Sequence, residues 1–508
     1  MMTDSNPVLA VDVGTTSIKA AIMDISTFEA VKTESTKAVV EYPKKHWAEK
    51  DPEKLWNSIV EVCRKITEGV SLDAIIFEGH MAGVVPVDEE GNALRNMIIW
   101  LDERAAGLPE DVWKGLVKIQ GYSLTKLIKF LRLTGGAPSR TGKDPISKIV
   151  WIRENEPDVF NKTFKILDVR GYLVARATGN FVTSPDEAHL TWLADTRDGK
   201  ARWSESLLKD YNLELSLFPE IRNSTDIAGY LLPEVRKELG IEGEVPVVVG
   251  TGDVCAAAVG SGAVKDNECH VYVGTSDWVA AHIPKRKTDI FHFIGSLLSA
   301  IPEKYLLIAE QEVAAGALEW AMKLVGIEGE YELVKEMVER AKPGKLIFMP
   351  WFYGERAPID DPYVRGGLVN VSLDTGREEV LRAMMEGVAM NIKWVYGYVE
   401  KMTAPQKEVN IVGGGALFDI WCQIIANAIK RPVKRLKNPE QTGLRGLATM
   451  AAVGLGKETF ESAAAKFRVD RVFKPNEEEA RVYDTQFEYY KELYGKLKKI
   501  YRKLNSED

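Results

Sequence analysis

Residues 8 to 24 alternate Val, Ala, Val and then Ile, Ala, Ile around the turn Gly14-Thr15-Thr16. Two period-two runs flanking a short turn predict a β-hairpin, not a strand that feeds a helix. A helical stretch from Asp51 to Thr67 precedes the apolar run from Asp73 to Phe77. Such a run reads as a buried parallel strand, and it delivers Glu78-Gly79-His80-Met81-Ala82-Gly83 at its carboxyl end, where open α/β sheets place polar groups. Residues 84–87 and 96–100 read as strands around the turn at 88–91, and they lead into Trp100-Leu101-Asp102-Glu103-Arg104.

The segment from 105 to 145 is basic and interrupted by glycine, with Trp113, Leu116, Ile119, Leu124, Leu127 and Ile128 spaced along it. A solvated helical cap over a cleft mouth is the expectation for it. A helix then runs from Pro145 and stops at Pro157. The strand Val245 to Val249 meets Gly250-Thr251-Gly252-Asp253, taken as the seam between two halves, 1–251 and 252–508. Further on, the strand Val409 to Val412 runs into Gly413-Gly414-Gly415-Ala416 and a helix from about Asp419. A strand, a glycine turn and a helix N-terminus can admit a nucleotide against bare backbone. In the tail, Tyr483, Phe487, Tyr490, Tyr494, Leu497, Tyr501 and Leu504 recur at spacings of four and three. That stripe predicts a terminal helix packed on its own domain, with an oligomer interface such as a homodimer as its second use.

The first turn has a counterpart about half a chain later. Val11-Asp12-Val13-Gly14-Thr15-Thr16 is echoed by Val271-Tyr272-Val273-Gly274-Thr275-Ser276. Each is an apolar strand ending in glycine and two hydroxyl residues, a turn that can aim backbone N–H and hydroxyl groups at phosphate oxygens. Only the first copy carries a carboxylate, Asp12. The asymmetry points to ATP held between two related domains, with the metal managed by the first.

Size and charge are compatible with that. At 508 residues the chain exceeds the length at which single cores stop growing, so two domains is the default. A net charge of -8 argues against a general nucleic-acid binder. Cys63, Cys255, Cys269 and Cys422 include no C-x-x-C pair, which leaves a zinc knuckle or redox dithiol without support. No apolar stretch reaches membrane-spanning length and no basic n-region opens the chain, so a cytoplasmic protein is expected. Thr141-Gly142-Lys143 is followed by Asp144 instead of the Ser or Thr of a P-loop, and no glycine stands five residues before Gly142.

Eight segments in order now resemble the FGGY family of carbohydrate kinases, most closely its xylulokinase-like branch: residues 12–16, 79–83, 100–104, 145–151, 250–253, 273–276, 353–358 and 413–416. The resemblance implies an α/β fold of two duplicated actin-like, ribonuclease H-like ATPase domains with a cleft between them. It implies transfer of a phosphoryl group from ATP to a sugar or polyol, best a pentulose such as D-xylulose.

By the same resemblance Asp253 is similar to the general base, and Asp12 to the carboxylate that organises Mg2+, with Asp253 beside it. Read alone, Asp253 is better taken as an Asx-turn residue capping a helix from Val254, and Asp12 as a hairpin polar residue; within the set of motifs the base is favoured. Gly14, Thr15, Thr16, Gly274, Thr275 and Ser276 would line the phosphates. Gly316, Gly414, Gly415 and Asp419 would line the adenosine side. His80, Met81, Trp100 and Asp102 resemble sugar-pocket residues.

Two positions depart from the branch: Ala82 stands where histidine is usual, and Val254 where asparagine is usual. A site that loses hydroxyl-bonding groups recognises a different or smaller set of hydroxyls. Kinases of another ketose, polyol or glycerol are the alternatives, glycerol being disfavoured by the absence of a Gln-Arg-Glu loop. A noncatalytic actin-like ATP-binding regulator is the competing class.

Overall fold

The computed structural model describes residues 7–506. The predicted hairpin is present: Val8–Val13 pairs antiparallel with Ser17–Asp24, which pairs in turn with Glu29–Lys37. On its other side Val8–Val13 runs parallel to Ala74–Gly79, and that strand runs parallel to Pro246–Gly252. The second sheet repeats the plan. Cys269–Val273 pairs antiparallel with Asp277–Ile283, and that strand with Tyr305–Gln311. Cys269–Val273 also runs parallel to Val409–Val412, which lies parallel to Val433–Leu436. Each half thus contains a three-stranded antiparallel meander continued by two parallel strands.

The helices that follow the last parallel strand of each half, Asp253–Gly260 and Thr442–Gly454, meet between the sheets. Their contact is made on bare backbone, because a Cβ on Gly260 would lie 1.8 Å from the Thr442 carbonyl oxygen and one on Gly446 1.9 Å from that of Ala256. An apolar cluster fills the space around them, joining Ala10, Ile76 and Val248 of the first sheet to Ala280 and Leu306 of the second.

Local structure departs from the sequence pattern in two places. Val85–Val87 and Met97–Ile98 are strands, but their ladders run mainly to Lys165–Leu167 and Glu49–Lys50, with only isolated bridges at 84–98 and 87–93. Segment 105–145 forms a short hairpin and the helix Leu124–Leu133, with Leu116, Ile119 and Ile128 exposed. Far from being a free cap, this helix is docked on the second half: the Arg286 guanidinium donates to the carbonyls of Leu131, Arg132 and Leu133 at 2.8–3.1 Å. An arginine at a helix C-terminus satisfies orphan carbonyls and complements the dipole.

The tail forms the helix Glu477–Asn505, with Tyr483 and Tyr490 fully buried against the second domain and Ile500 and Leu504 exposed at its end. Among the described residues, no helix is long and apolar enough to cross a membrane.

Candidate active site

Register along the first sheet assembles a polar row. Asp12 pairs with Lys19 on one side and with Glu78 on the other, and Glu78 pairs with Thr251. Residues in register share a face, so four polar side chains project together at the carboxyl edge of the parallel strands. Asp12 and Glu78 lie close enough to share a hydrogen bond. Burial raises both, and repulsion by Asp12 and Asp253 holds Glu78 well above the usual range. Of the two, Glu78 is displaced further toward the neutral acid, while Lys19 and Lys50 partly offset the rise at Asp12. The sequence offered Glu78 as a polar group at the strand's carboxyl end beside His80, but not its pairing with Asp12, which is a register between strands far apart in sequence.

Asp253 is the first residue of its helix, whose cap position is Gly252. The Gly252 N–H donates to the buried carboxylate of Asp186 at 2.9 Å, which fixes the turn just ahead of Asp253. Burial and the negative charge of Asp12 push Asp253 up to about 7. Met81 lies directly on this turn, since a Cβ on Gly252 would come within 2.4 Å of its Cγ. The sugar-type loop and the candidate base are thus in contact.

His80 is buried, and neither ring nitrogen has a hydrogen-bond partner among the described residues. Burial, with Lys50 and Lys148 nearby, holds it well below its ordinary value, so the ring is neutral. An unpartnered buried imidazole at the mouth of a parallel strand is ready to bond a ligand hydroxyl. Two lysines, neither anticipated, flank the same loops. Lys50 donates to Gly14 O and Lys148 to Ala82 O, both at 2.7 Å, and both are buried without an ion pair among the described residues. Burial pushes them down to about 8 and about 7.

Trp100 is partly exposed and donates its indole N–H to Thr15 Oγ1 at 2.8 Å. Asp102 departs from expectation. It is fully buried, and its oxygens already accept from the Ala48 and Arg104 N–H groups and from the Arg104 guanidinium at 2.6–3.0 Å. No lone pair is left for a sugar hydroxyl, so Asp102 supports the loop instead of gripping substrate. Arg104 is held in turn by Glu49 and by the Trp47 ring, 3.7 Å from its guanidinium carbon.

The two hydroxyl turns differ by one residue, the first joining Val13 to Ile18 and the second Val273 to Asp277. Gly14 N–H closes on Ser17 O at 3.0 Å and Gly274 N–H on Ser276 O at 2.9 Å, leaving Thr16 and Thr275 exposed at the tips. The second turn is bound by the helix Ala315–Leu324: Ala314 and Gly316 donate to Thr275 O and Ala315 to Gly274 O. A Cβ on Gly413, at φ 94°, would lie 2.4 Å from Val273 O. That close approach sets Gly414, open on its Cα side, and buried Gly415 beside the second turn. Asp419 opens the next helix but does not cap it; it is ion-paired to Arg435 at 2.6 Å and to Arg471.

The comparisons agree with this geometry. Residues 7–260 match the N-terminal domain and 269–455 the C-terminal domain of the FGGY family of carbohydrate kinases. The chain belongs to this family. A xylulose kinase from Staphylococcus xylosus is 28% identical over 499 residues, covering 96% of this chain and 99% of the relative. A ligand-bound xylulose kinase structure from Lactobacillus acidophilus superposes with a TM-score of 0.87 at 25% identity, covering 98% and 100% of the two chains. A gluconate kinase structure from the same organism gives 0.86 at 25% identity, over 98% and 99%. The protein is a sugar kinase with a two-domain actin-like fold, and its family implies ATP as the phosphoryl donor.

Proposed function

We propose that this FGGY kinase phosphorylates a hydroxyl of a pentulose, D-xylulose being the best single choice, with Asp253 as general base and the seam of the halves at Gly252. The supporting observation is the position of Asp253, on the backbone turn that Met81 covers and within the electrostatic reach of Asp12. When bound, MgATP supplies the γ-phosphoryl group and the charge neutralisation that in-line transfer requires. The acceptor hydroxyl passes its proton to Asp253 as its oxygen bonds to phosphorus, and the bond to the β-phosphate oxygen breaks to release ADP.

The carboxylates fit a magnesium ion held mainly by phosphates and water. Among the described residues no cluster of three or more His, Cys, Asp and Glu side chains is set for a metal, while Asp12 and Asp253 stand ready to supply one or two ligands. His80, Met81 and Trp100 would face the sugar, Thr15, Thr16, Thr275 and Ser276 the phosphates, and Gly316, Gly414, Gly415 and Asp419 the nucleoside side.

A second reading rests on Lys50 and Lys148. Both amines are buried with no direct ion pair among the described residues, and an anion placed beside them would favour their charged form. An acceptor that carries its own carboxylate, an aldonic acid, would do so, and one of the similar structures is a gluconate kinase. The deciding experiment follows ADP release from MgATP over D-xylulose, other ketopentoses, alditols, glycerol and D-gluconate, with Asp253→Ala as control. Turnover of one acceptor, abolished in the variant while ATP still binds, establishes the reading and chooses between the two classes. Undiminished turnover by Asp253→Ala removes the base assignment.

A further inference from the structure

Asp12 and Tyr272 occupy the same place in the two copies of the duplicated turn, each two residues before the loop glycine. The register confirms the equivalence: Asp12 pairs with Lys19 and Glu78, and Tyr272 with Trp278 and Val412. The second copy has therefore replaced a carboxyl group by a phenol O–H donor. Its ring lies flat on Trp278, with centroids 3.8 Å apart and planes 1° from parallel, and Trp278 is anchored by its N–H to His270 Nε2 at 3.2 Å. Held this way, the phenol arches over the second phosphate loop. A Cβ on Gly274 would sit 2.8 Å from Tyr272 Oη, so the loop glycine leaves room for it.

The hydroxyl is unused, since Tyr272 Oη forms no side-chain hydrogen bond with the described residues around it. The carboxyl groups that bear on it are those of Asp253, Asp12 and Glu78. Burial and those carboxyl groups raise its pKa above the ordinary phenol value, so it holds its proton at working pH.

We propose that Tyr272 is a further catalytic residue of the kinase reaction, donating its Oη–H to an oxygen of the γ-phosphoryl group in transfer. The proposal rests on the kinase reading above and adds a residue to it. Phosphoryl transfer spreads charge over three equatorial oxygens, and a preorganised neutral donor stabilises that charge without attracting the metal. Asp12 from one half and Tyr272 from the other would then address the same polyphosphate from opposite sides, the first through the cation and the second through a direct hydrogen bond.

The test is Tyr272→Phe, which keeps the ring and its stack on Trp278. Loss of one such donor lowers kcat by about 100-fold, with the sugar KM and MgATP affinity held within about 3-fold, the pattern of an interaction made only in the transition state. An unchanged kcat overturns the proposal, as does a rise in either KM at constant kcat. A second readout is independent of the acceptor. Titration calorimetry of MgADP with aluminium fluoride, a mimic of the transferring group, shows binding at least about 10-fold weaker in the variant while MgADP alone binds equally. Equal binding of the mimic overturns the proposal even where the acceptor panel is silent, and a silent wild type with a weakened mimic in the variant faults the substrate reading, not Tyr272.

Discussion

Trp100 donates its indole N–H to the hydroxyl of Thr15 at 2.8 Å, so the loop placed toward the sugar and the first phosphate turn share a hydrogen bond before any ligand arrives. Trp100→Phe and Thr15→Val should each raise the sugar KM and lower kcat. The double variant should be less impaired than the product of the two effects, by a coupling of about 1 kcal/mol. A kinetic double-mutant cycle measures it, and strict additivity would show that the bond does not link the two loops.

Asp253 gives the pH dependence. A carboxylic acid raised to about 7 must lose its proton before it can accept one, so kcat/KM should fall below an acid limb near pH 7 in the free enzyme. The sign for stability is opposite. The folded state holds this proton over a range where the unfolded chain has released it, so the contribution is complete below the ordinary value of 3.8 and is lost as pH rises through about 7. Asp253→Asn should therefore unfold at a higher temperature than wild type at pH 8, with the gap closing toward pH 4, while kcat drops by about 100-fold or more. Thermal unfolding across pH, paired with rate profiles, checks both arms.

The parts of this site that were readable in the chain are the local ones. A period-two run ending in glycine and two hydroxyls specifies its own hairpin, so Gly14, Thr15, Gly274 and Thr275 could be located without a structure. Glu78 could not, because its meaning comes from standing beside Asp12 on a parallel neighbour. Asp102 was legible as part of a motif but not as a filled carboxylate; only the structure shows Arg104 and the Ala48 N–H closing it. The buried lysines gave no signal either, since a lysine reads as surface until its packing is known.

Lys148 tests how the acceptor loop is held. Its ammonium is fully buried on the carbonyl of Ala82, a non-glycine residue at φ 59°. Lys148→Met removes the donor that secures this left-handed turn, while a side chain of similar length keeps the packing. The sugar KM should rise by about 10-fold, the value of one lost hydrogen bond, with MgATP affinity unchanged. For an acceptor that carries a carboxylate the loss should be larger than for a neutral sugar. Comparing KM values for gluconate and xylulose in the variant separates loop support from direct charge recognition.

Gly446 carries the junction of the two halves. Its Cα faces the Ala256 carbonyl so closely that a methyl group would overlap it, and Gly260 mirrors the arrangement against Thr442. Helices crossing on glycine cannot accept a side chain without moving apart, and both begin at or beside the cleft, one of them at Asp253 itself. Gly446→Ala should destabilise the fold by about 1–3 kcal/mol through overpacking, although alanine is the better helix former on an exposed surface. The displacement should also shift Asp253 from the acceptor, lowering kcat more than it raises the MgATP dissociation constant. Urea unfolding midpoints together with steady-state kinetics decide the matter: a variant as stable and as active as wild type would show that the helices separate freely, and that the glycine contact does not set the geometry of the cleft.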